Sequence, residues 1–218
     1  MKTTAVSAIC FMSAFFFTGP SGASADDLTP IKLLSPQLQG GKSLMQSLQD
    51  RKSSREFSIK EIPLQVLSDL LWAADGINRP SSGERTAPTA RNMQEIDVYV
   101  AKAEGLYKFD SKENVLIPVL SGDIRELTGK QPFVKDAPLN LIYVADLSKM
   151  GQMPAESANF YAATDTGFIS ENVYLFCASA GLATVVRGMI DKPVLAKAMK
   201  LRPDQIIILA QTIGYPKD

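Results

Sequence analysis

The longest helical pattern in the chain is the feature that most constrains its fold. No proline interrupts residues 155–180, and apolar or small side chains recur there every three to five residues. Gly181 follows, at the position where a helix normally ends. The recurring side chains are those of Phe160, Thr164, Phe168, Val173, Phe176 and Ala180. The pattern predicts one long helix over residues 155–180, around which the other elements must pack.

Shorter patterns before and after this helix predict an α+β domain. Ser43 can cap a helix that ends near Asp50, and Pro63 opens a second helix that ends at Asp75. The segment 76–94 is rich in proline, serine, glycine and threonine and is predicted to be a long loop. Further patterns predict a helix at 193–199 and strands at 96–100, 105–109, 115–117, 139–145, 183–186 and 205–213. We therefore expect helices flanking a central, mostly antiparallel sheet.

The first 25 residues have the organisation of a secretory signal peptide. Lys2 is the only charge before Asp26, an apolar run follows it, and small residues at 23–25 form a cleavage site. The alternative is a membrane anchor, but an apolar run of about 13 residues falls short of the ~20 that cross a bilayer. We expect cleavage after Ala25, export to the periplasm or the medium, and no stable membrane span afterwards. Residues 26–41 are then an N-terminal arm and residues 42–218 one domain.

The composition limits the chemistry that the side chains can perform. The chain contains no histidine, which excludes Ser-His-Asp triads and histidine-based metal sites. No Asp/Glu cluster has the spacing of metal ligands, so no metal is expected. Acidic and basic residues are equal in number, 23 each, which disfavours nucleic acid as a partner. Cys177 lies on the apolar long helix and is predicted to belong to the core. We therefore expect a bound cofactor to carry the chemistry.

A cluster of cations and hydroxyls follows the first predicted helix. Residues 51–55 read Arg-Lys-Ser-Ser-Arg. Arginine offers a planar fork of donors, lysine adds a point charge and serine adds short hydroxyl donors, a set that suits phosphate. A charge run is also common on a solvated surface. The composition of the cluster alone leaves both interpretations open.

Three segments, taken in order, resemble the FMN-dependent nitroreductase family. The first is 51–57, Arg-Lys-Ser-Ser-Arg-Glu-Phe. The second, 85–94, is similar to the family's Pro-Ser-x-x-Asn segment and leads into a predicted strand. The third runs from Glu171 to Gly188, and the chain closes with Gly-Tyr-Pro at 214–216. Within this resemblance, which covers about residues 42–216, the stretch 70–110 is most similar to the branch of SagB-type peptide dehydrogenases.

The resemblance implies a nitroreductase-like fold and an entwined homodimer with two FMN sites at the subunit interface. In the family the first segment holds the FMN phosphate and ribityl chain, and the second approaches the flavin ring from the partner subunit. The first role falls here to Arg51, Lys52, Ser53 and Arg55, and the second to Pro88, Thr89 and Asn92. Thr89 stands where serine is usual and keeps the hydroxyl.

Two further regions are assigned to FMN by the same resemblance. Arg187 and Gly188 fall where the family places backbone N–H groups near the reactive flavin N5. A cation at residue 187 would favour the anionic reduced ring and raise its potential; the alternative is that Arg187 points to solvent from a strand end. Many relatives complete the phosphate site with further basic residues after Gly-Tyr-Pro. Here Lys217 takes that place, and it either substitutes for them at the FMN phosphate or belongs to a frayed terminus.

The expected activity is that of an FMN-dependent oxidoreductase. Two electrons would pass in a ping-pong cycle from a small-molecule donor such as NAD(P)H to a nitroaromatic, a quinone or a similar acceptor. Because NAD(P)H is scarce outside the cytoplasm, two alternatives stay open. One is a SagB-like dehydrogenase or oxidase of a peptide or small organic donor. The other is a non-enzymatic relative that binds a flavin or another ligand.

Overall fold

The computed structural model of the protein describes residues 28–217. The predicted signal peptide, its cleavage site and Asp218 lie outside these residues. Within the described part of the chain, no helix is both long enough and apolar enough to cross a membrane.

Seven strands form one sheet in which every neighbouring pair is antiparallel. Numbered in chain order, they are β1 Ile31–Lys32, β4 Ile96–Ala101, β5 Gly105–Asp110, β6 Val115–Ser121, β7 Leu139–Asp146, β8 Ala183–Arg187 and β9 Gln205–Gly214. Their order across the sheet is β1-β6-β5-β4-β7-β9-β8. Two short strands, β2 (Ile77–Arg79) and β3 (Glu84–Arg85), form a separate hairpin. The predicted α+β class with a mostly antiparallel sheet is confirmed.

Four α-helices cover the two faces of this sheet: α1 Leu44–Asp50, α2 Leu64–Asp75, α3 Ala155–Ala180 and α4 Lys192–Ala198. Successive side chains of a strand point to opposite faces. Accordingly, Val98 and Val100 pack in one apolar cluster with α2 and α3, while Tyr99 and Ala101 pack in a second one with α4. All positions of β4 and β7 are therefore buried. The two layers explain why these strands are mostly apolar on both faces.

The helix boundaries follow the local signals in the sequence. The Ser43 hydroxyl accepts a hydrogen bond from the Gln46 amide at the start of α1. Pro63 stands before the first residue of α2. Gly181 ends α3 in the left-handed conformation, with φ of 71°. The predicted helices and strands are confirmed, most of them to within one residue.

Three features differ from the sequence-based expectation. The segment 76–94 contains the β2–β3 hairpin and a 3₁₀ turn at Ala90–Asn92. A carboxylate of α2 organises it, because Asp75 forms an ion pair with Arg85. The arm also joins the sheet, since β1 pairs with β6. Finally, Phe160 and Phe168 do not face the core with Val173; they are 64% and 43% exposed.

Candidate functional site

The segment 51–58 leaves α1 and runs in an extended form beside β8 and the end of β9. The Ser54 amide donates to the Thr184 carbonyl of β8 over 2.9 Å. The Ser58 amide donates to the Tyr215 carbonyl, also over 2.9 Å. Phe57 is buried and pairs with Pro216 in an isolated bridge. The buried phenylalanine and the backbone bonds thus hold the segment in place without using its basic side chains.

The basic side chains of this region have no acidic partner. Among the residues that the structure describes, no carboxylate lies within ion-pair distance of Arg51, Lys52, Arg55 or Lys217. Lys42 differs, because it forms an ion pair of 2.6 Å with Asp50. Like charges this close together repel unless an anion lies among them. The region therefore carries a local excess of positive charge.

A cavity of about 590 Å³ lies between this segment, the C-terminal part of α3 and β8. Its polar lining includes Lys52, Ser54, Thr184 and Lys217. Glu56 is the one lining carboxylate left when the Lys42–Asp50 pair is set aside. Cations and hydroxyl donors together suit a phosphate monoester, and the volume is in the range of small-molecule sites, about 300–1,000 Å³. The residues present therefore fit the phosphate end of FMN.

The extended backbone divides the predicted phosphate ligands into two groups. Lys52 lines the cavity together with Lys217. The alternate residues Arg51 and Ser53 instead contact the Tyr174 side chain. Arg55 is exposed and belongs to neither group. The structure thus brings Arg51, Lys52, Ser53 and Lys217 together around the cavity and Tyr174, whereas Arg55 lies outside both groups.

Tyr174 of α3 connects the two groups and is a residue that the sequence analysis missed. Its ring centroid lies 5.3 Å from the Arg51 guanidinium, and its hydroxyl lies 2.8 Å from the Ser53 hydroxyl. The same hydroxyl accepts a hydrogen bond of 2.9 Å from the Val186 amide. Tyr174 lines the cavity from the same helix face as Cys177 and Gly181. Helical spacing could have grouped these positions, but only the packing shows that their face borders the cavity.

The second predicted segment forms a compact loop that does not line the cavity within this chain. Arg91, Asn92 and Gln94 have left-handed backbone conformations, with φ of 54°, 54° and 49°. Such residues cost free energy and are held by their surroundings. Here the Thr89 hydroxyl accepts from the Gln94 amide over 3.1 Å, and the Asn92 side-chain oxygen accepts from the Gln94 side chain over 3.0 Å. Within a single subunit, Pro88, Thr89 and Asn92 do not line the cavity that borders the cation cluster.

Two buried carboxyl groups, those of Asp165 and Glu95, lie next to this loop. The Ala90 amide donates to the Asp165 carboxylate over 2.9 Å. Glu95 is fully buried, and neither of its carboxyl oxygens has a donor among the described residues. Burial, together with the neighbouring Asp165 carboxyl, raises the pKa of Glu95 to about 7. A proton held between the two acids would supply the hydrogen bond that Glu95 lacks.

The side chain of Arg187 is buried, so the alternative that it points to solvent is wrong. Its guanidinium donates to the Thr128 carbonyl over 2.7 Å, to the Asn140 side chain over 2.8 Å and to the Thr212 hydroxyl over 2.9 Å. A side chain at Gly129 would collide with it. Burial lowers the pKa of Arg187 to about 10, so it stays protonated at neutral pH. Arg187 is thus a buried positive charge whose hydrogen-bond acceptors are all neutral, and it does not itself line the cavity.

The next residue, Gly188, is exposed at the end of β8. A β-carbon there would meet only Leu209, at 3.6 Å, which is an ordinary contact. The chain's own packing therefore does not require glycine at this position. The predicted role, a close approach of the backbone to a ligand, stays a prediction.

Cys177 belongs to the core, as predicted. It is 1% exposed, and burial raises the pKa of its thiol well above the ordinary value. It is the single free cysteine among residues 28–217. In that part of the chain no group of three or more acidic or sulfur side chains could hold a metal ion.

Comparison with known proteins identifies the family to which this fold belongs. The model of the nitroreductase family matches residues 48–215. Because this match spans most of the chain, the protein belongs to the nitroreductase family. The predicted family and fold are thereby confirmed, while the similarity to the SagB-type branch stays a prediction.

Two relatives and one more distant structure illustrate the similarity. The crystal structure of a candidate nitroreductase from Ralstonia eutropha is 43% identical, with a TM-score of 0.85, and the match covers 91% of this chain and 95% of that one. A candidate nitroreductase of Methanocaldococcus jannaschii is 27% identical over 169 residues, which are 73% of this chain and 85% of the relative. The NADPH:FMN oxidoreductase of Vibrio harveyi is 16% identical with a TM-score of 0.60, over 80% of this chain and 69% of its own, and shares the fold.

Proposed function

We propose that the protein is an exported, homodimeric, FMN-dependent oxidoreductase. The observation that carries this proposal is a group of basic side chains with no acidic partner among the described residues: Lys52 and Lys217 line a 590 Å³ cavity, and Arg51 lies over the ring of Tyr174, which lines the same cavity. Membership of the nitroreductase family supports an oxidoreductase, and the Vibrio harveyi protein of the same fold is an NADPH:FMN oxidoreductase. Bound FMN would supply two-electron transfer between a donor and an acceptor, which the side chains of this chain cannot perform.

The residues of the chain bind and orient the flavin in this proposal. Arg51, Lys52 and Lys217 neutralise the phosphate, and the Ser53 hydroxyl donates to it. Arg55 lies further along the same segment and reaches the ribityl chain. The exposed backbone at Gly188 leaves room for the edge of the ring.

The partner subunit would complete the site. Apolar side chains are exposed on two helices that contact each other, α1 and α3. They are Leu44, Met45, Leu48, Phe160 and Phe168, and Met45 is 74% exposed. An exposed apolar surface of this kind is typical of a protein interface. In the dimer that covers it, Pro88, Thr89 and Asn92 of one subunit approach the flavin of the other.

Arg187 would tune the flavin through its fixed charge. Its guanidinium is buried in a region of low dielectric and its acceptors are neutral, so its field is weakly screened. A positive charge near the ring favours the anionic reduced form. We expect Arg187→Gln to lower the midpoint potential of the bound flavin and Arg187→Lys to retain most of it, as measured by spectroelectrochemistry. An unchanged potential in Arg187→Gln contradicts this role.

The decisive experiment is purification of the protein in the presence of FMN, followed by desalting, a visible spectrum and a measurement of native mass. A yellow dimer with about one flavin per chain is expected for the enzyme. A colourless protein that takes up no flavin contradicts the cofactor assignment and favours a ligand-binding relative. Anaerobic mixing with NADH or NADPH then tests the electron donor. If neither nucleotide reduces the bound flavin, the protein requires a different donor, as in the SagB-like alternative.

Export has its own test. The protein is expressed with its natural start, and the cell is separated into cytoplasm, periplasm, membrane and medium. The expected product is a soluble periplasmic or secreted chain whose first residue is Asp26. Recovery of the intact chain in the cytoplasm contradicts export, and recovery in the membrane fraction identifies an uncleaved anchor.

A further inference from the structure

Tyr174 lies where three parts of the candidate site meet. Its hydroxyl is bonded to Ser53 in the cation-rich segment and to the Val186 amide in β8. Its ring lies under the Arg51 guanidinium. One side chain of α3 therefore positions a cation and a hydroxyl and ties both to the sheet.

The proton arrangement at this tyrosine follows from its partners. The Val186 amide can only donate, so the Tyr174 oxygen accepts from it and keeps one proton of its own. If Ser53 donated to Tyr174, the phenolic proton would have no acceptor among the described residues. If Tyr174 donates to Ser53, it is the serine proton that has no acceptor among the described residues. Each arrangement makes two hydrogen bonds and leaves one hydroxyl proton of the Ser53–Tyr174 pair for another acceptor.

In both arrangements the hydrogen-bonded pair presents one unused hydroxyl proton. The Val186 amide and the Ser53 hydroxyl fix the position of the Tyr174 oxygen, and the remaining O–H of the pair can only be satisfied by an acceptor. The neighbouring Arg51 guanidinium is a donor as well, held flat over the ring. Two donors side by side with positive charge select an anionic oxygen rather than a neutral hydroxyl.

We infer that Tyr174 is a positioning residue that makes the site prefer a phosphorylated flavin over an unphosphorylated one. It acts through Ser53 and Arg51 and needs no contact of its own with the ligand. The inference rests on the proposed function, because it concerns the phosphate end of the proposed FMN site. Riboflavin is the matched comparison, since it has the same ring and sugar chain and lacks the phosphate.

The test compares dissociation constants of FMN and riboflavin for the flavin-free protein, measured by quenching of flavin fluorescence. We expect Tyr174→Phe to weaken FMN binding about tenfold, the order expected for one hydrogen bond at a charged site. Riboflavin binding should change less than about twofold, since it lacks the anion. The control is Tyr161→Phe on the same helix, whose hydroxyl has no hydrogen bond among the described residues. Its flavin affinities should match those of the unsubstituted protein.

A double-mutant cycle with Ser53→Ala separates positioning from general damage. If Tyr174 acts through Ser53, the double variant binds FMN little worse than either single variant. A second readout is the rise in melting temperature caused by inorganic phosphate, which should be smaller in Tyr174→Phe.

Each outcome decides a different question. Equal weakening of FMN and riboflavin, or no weakening of FMN, overturns the inference and leaves the proposed function intact. Failure of the unsubstituted protein to bind either flavin overturns the proposed function and the inference with it.

Discussion

The two segments assigned to the flavin differ in how they use their polar groups. In the segment 51–55 the basic side chains have no acidic partner among the described residues, and Phe57 and backbone bonds hold the chain in place. In the loop 88–94 Thr89 and Asn92 accept hydrogen bonds from Gln94, and three residues adopt left-handed conformations. The cations of the first segment are available for a ligand, whereas the hydrogen bonds of the second hold an unfavourable backbone shape.

We infer from this difference that the first segment contributes mainly to ligand affinity and the second mainly to the stability of the fold. Removing a side chain with no partner costs little stability, since nothing in the folded chain is left unsatisfied. Removing one that holds a strained loop costs stability directly. We therefore expect substitutions in the first segment to affect FMN affinity and those in the second to affect unfolding.

The largest expected effect is on FMN affinity in the double variant Arg51→Ala/Arg55→Ala. Each charge-assisted hydrogen bond contributes about 1.5–3 kcal/mol, so loss of both arginines should weaken FMN binding by roughly 100- to 1,000-fold or more. The free energy of unfolding without ligand should fall by no more than about 1 kcal/mol, the order of the Arg51–Tyr174 cation–π contact that is lost. Equilibrium titration and urea denaturation measure the two quantities. Lys112→Ala, in the turn between β5 and β6, is the control; a similar loss there would point to general charge instead of a local site.

The second prediction concerns the pH dependence that Glu95 adds to stability. Its pKa is about 7 in the folded protein, above the ordinary glutamate value, so between pH 4.5 and 7 the folded state binds more protons than the unfolded state. Stability must therefore fall as pH rises through this range. We expect Glu95→Gln to be more stable than the unsubstituted protein at pH 8, by about 1–3 kcal/mol, and to lose this advantage near pH 4.5.

Urea denaturation at several pH values measures this effect. The exposed Glu126 provides the control, since Glu126→Gln should leave the pH profile unchanged. A Glu95→Gln variant that is destabilised equally at pH 5 and pH 8 would show that Glu95 is not held protonated beside Asp165.

The smallest expected effect is at Thr89, whose hydroxyl accepts from the Gln94 amide. Thr89→Ala should lower the free energy of unfolding by about 1 kcal/mol, since it leaves a backbone donor of the strained loop without its partner. Thr89→Ser keeps the hydroxyl and should cost clearly less. Denaturation of the two variants side by side gives the comparison, and equal losses would mean that the methyl group, not the hydrogen bond, holds the loop.

The sequence analysis predicted most of the elements but could not predict which face of a helix is covered. Phe160, Phe168 and Val173 recur at helical spacing, yet only Val173 is buried. Periodicity reports that apolar residues share a stripe, whereas burial depends on which elements pack against it. The predicted loop 76–94 was wrong in detail for a similar reason. Its hairpin is stabilised by Arg85 and Asp75, whose pairing has no local signature.

The sequence by itself determined the strand and helix periods, the helix ends at Ser43 and Gly181, and the cation cluster with its suitability for phosphate. These are properties of neighbouring residues, and local physical chemistry is sufficient to predict them. The tertiary structure decided that Arg187 is buried, that Tyr174 joins Ser53 to β8, and that Asp165 lies beside Glu95. These contacts join residues that are far apart in the chain, and they exist only because the strand order brings their elements together.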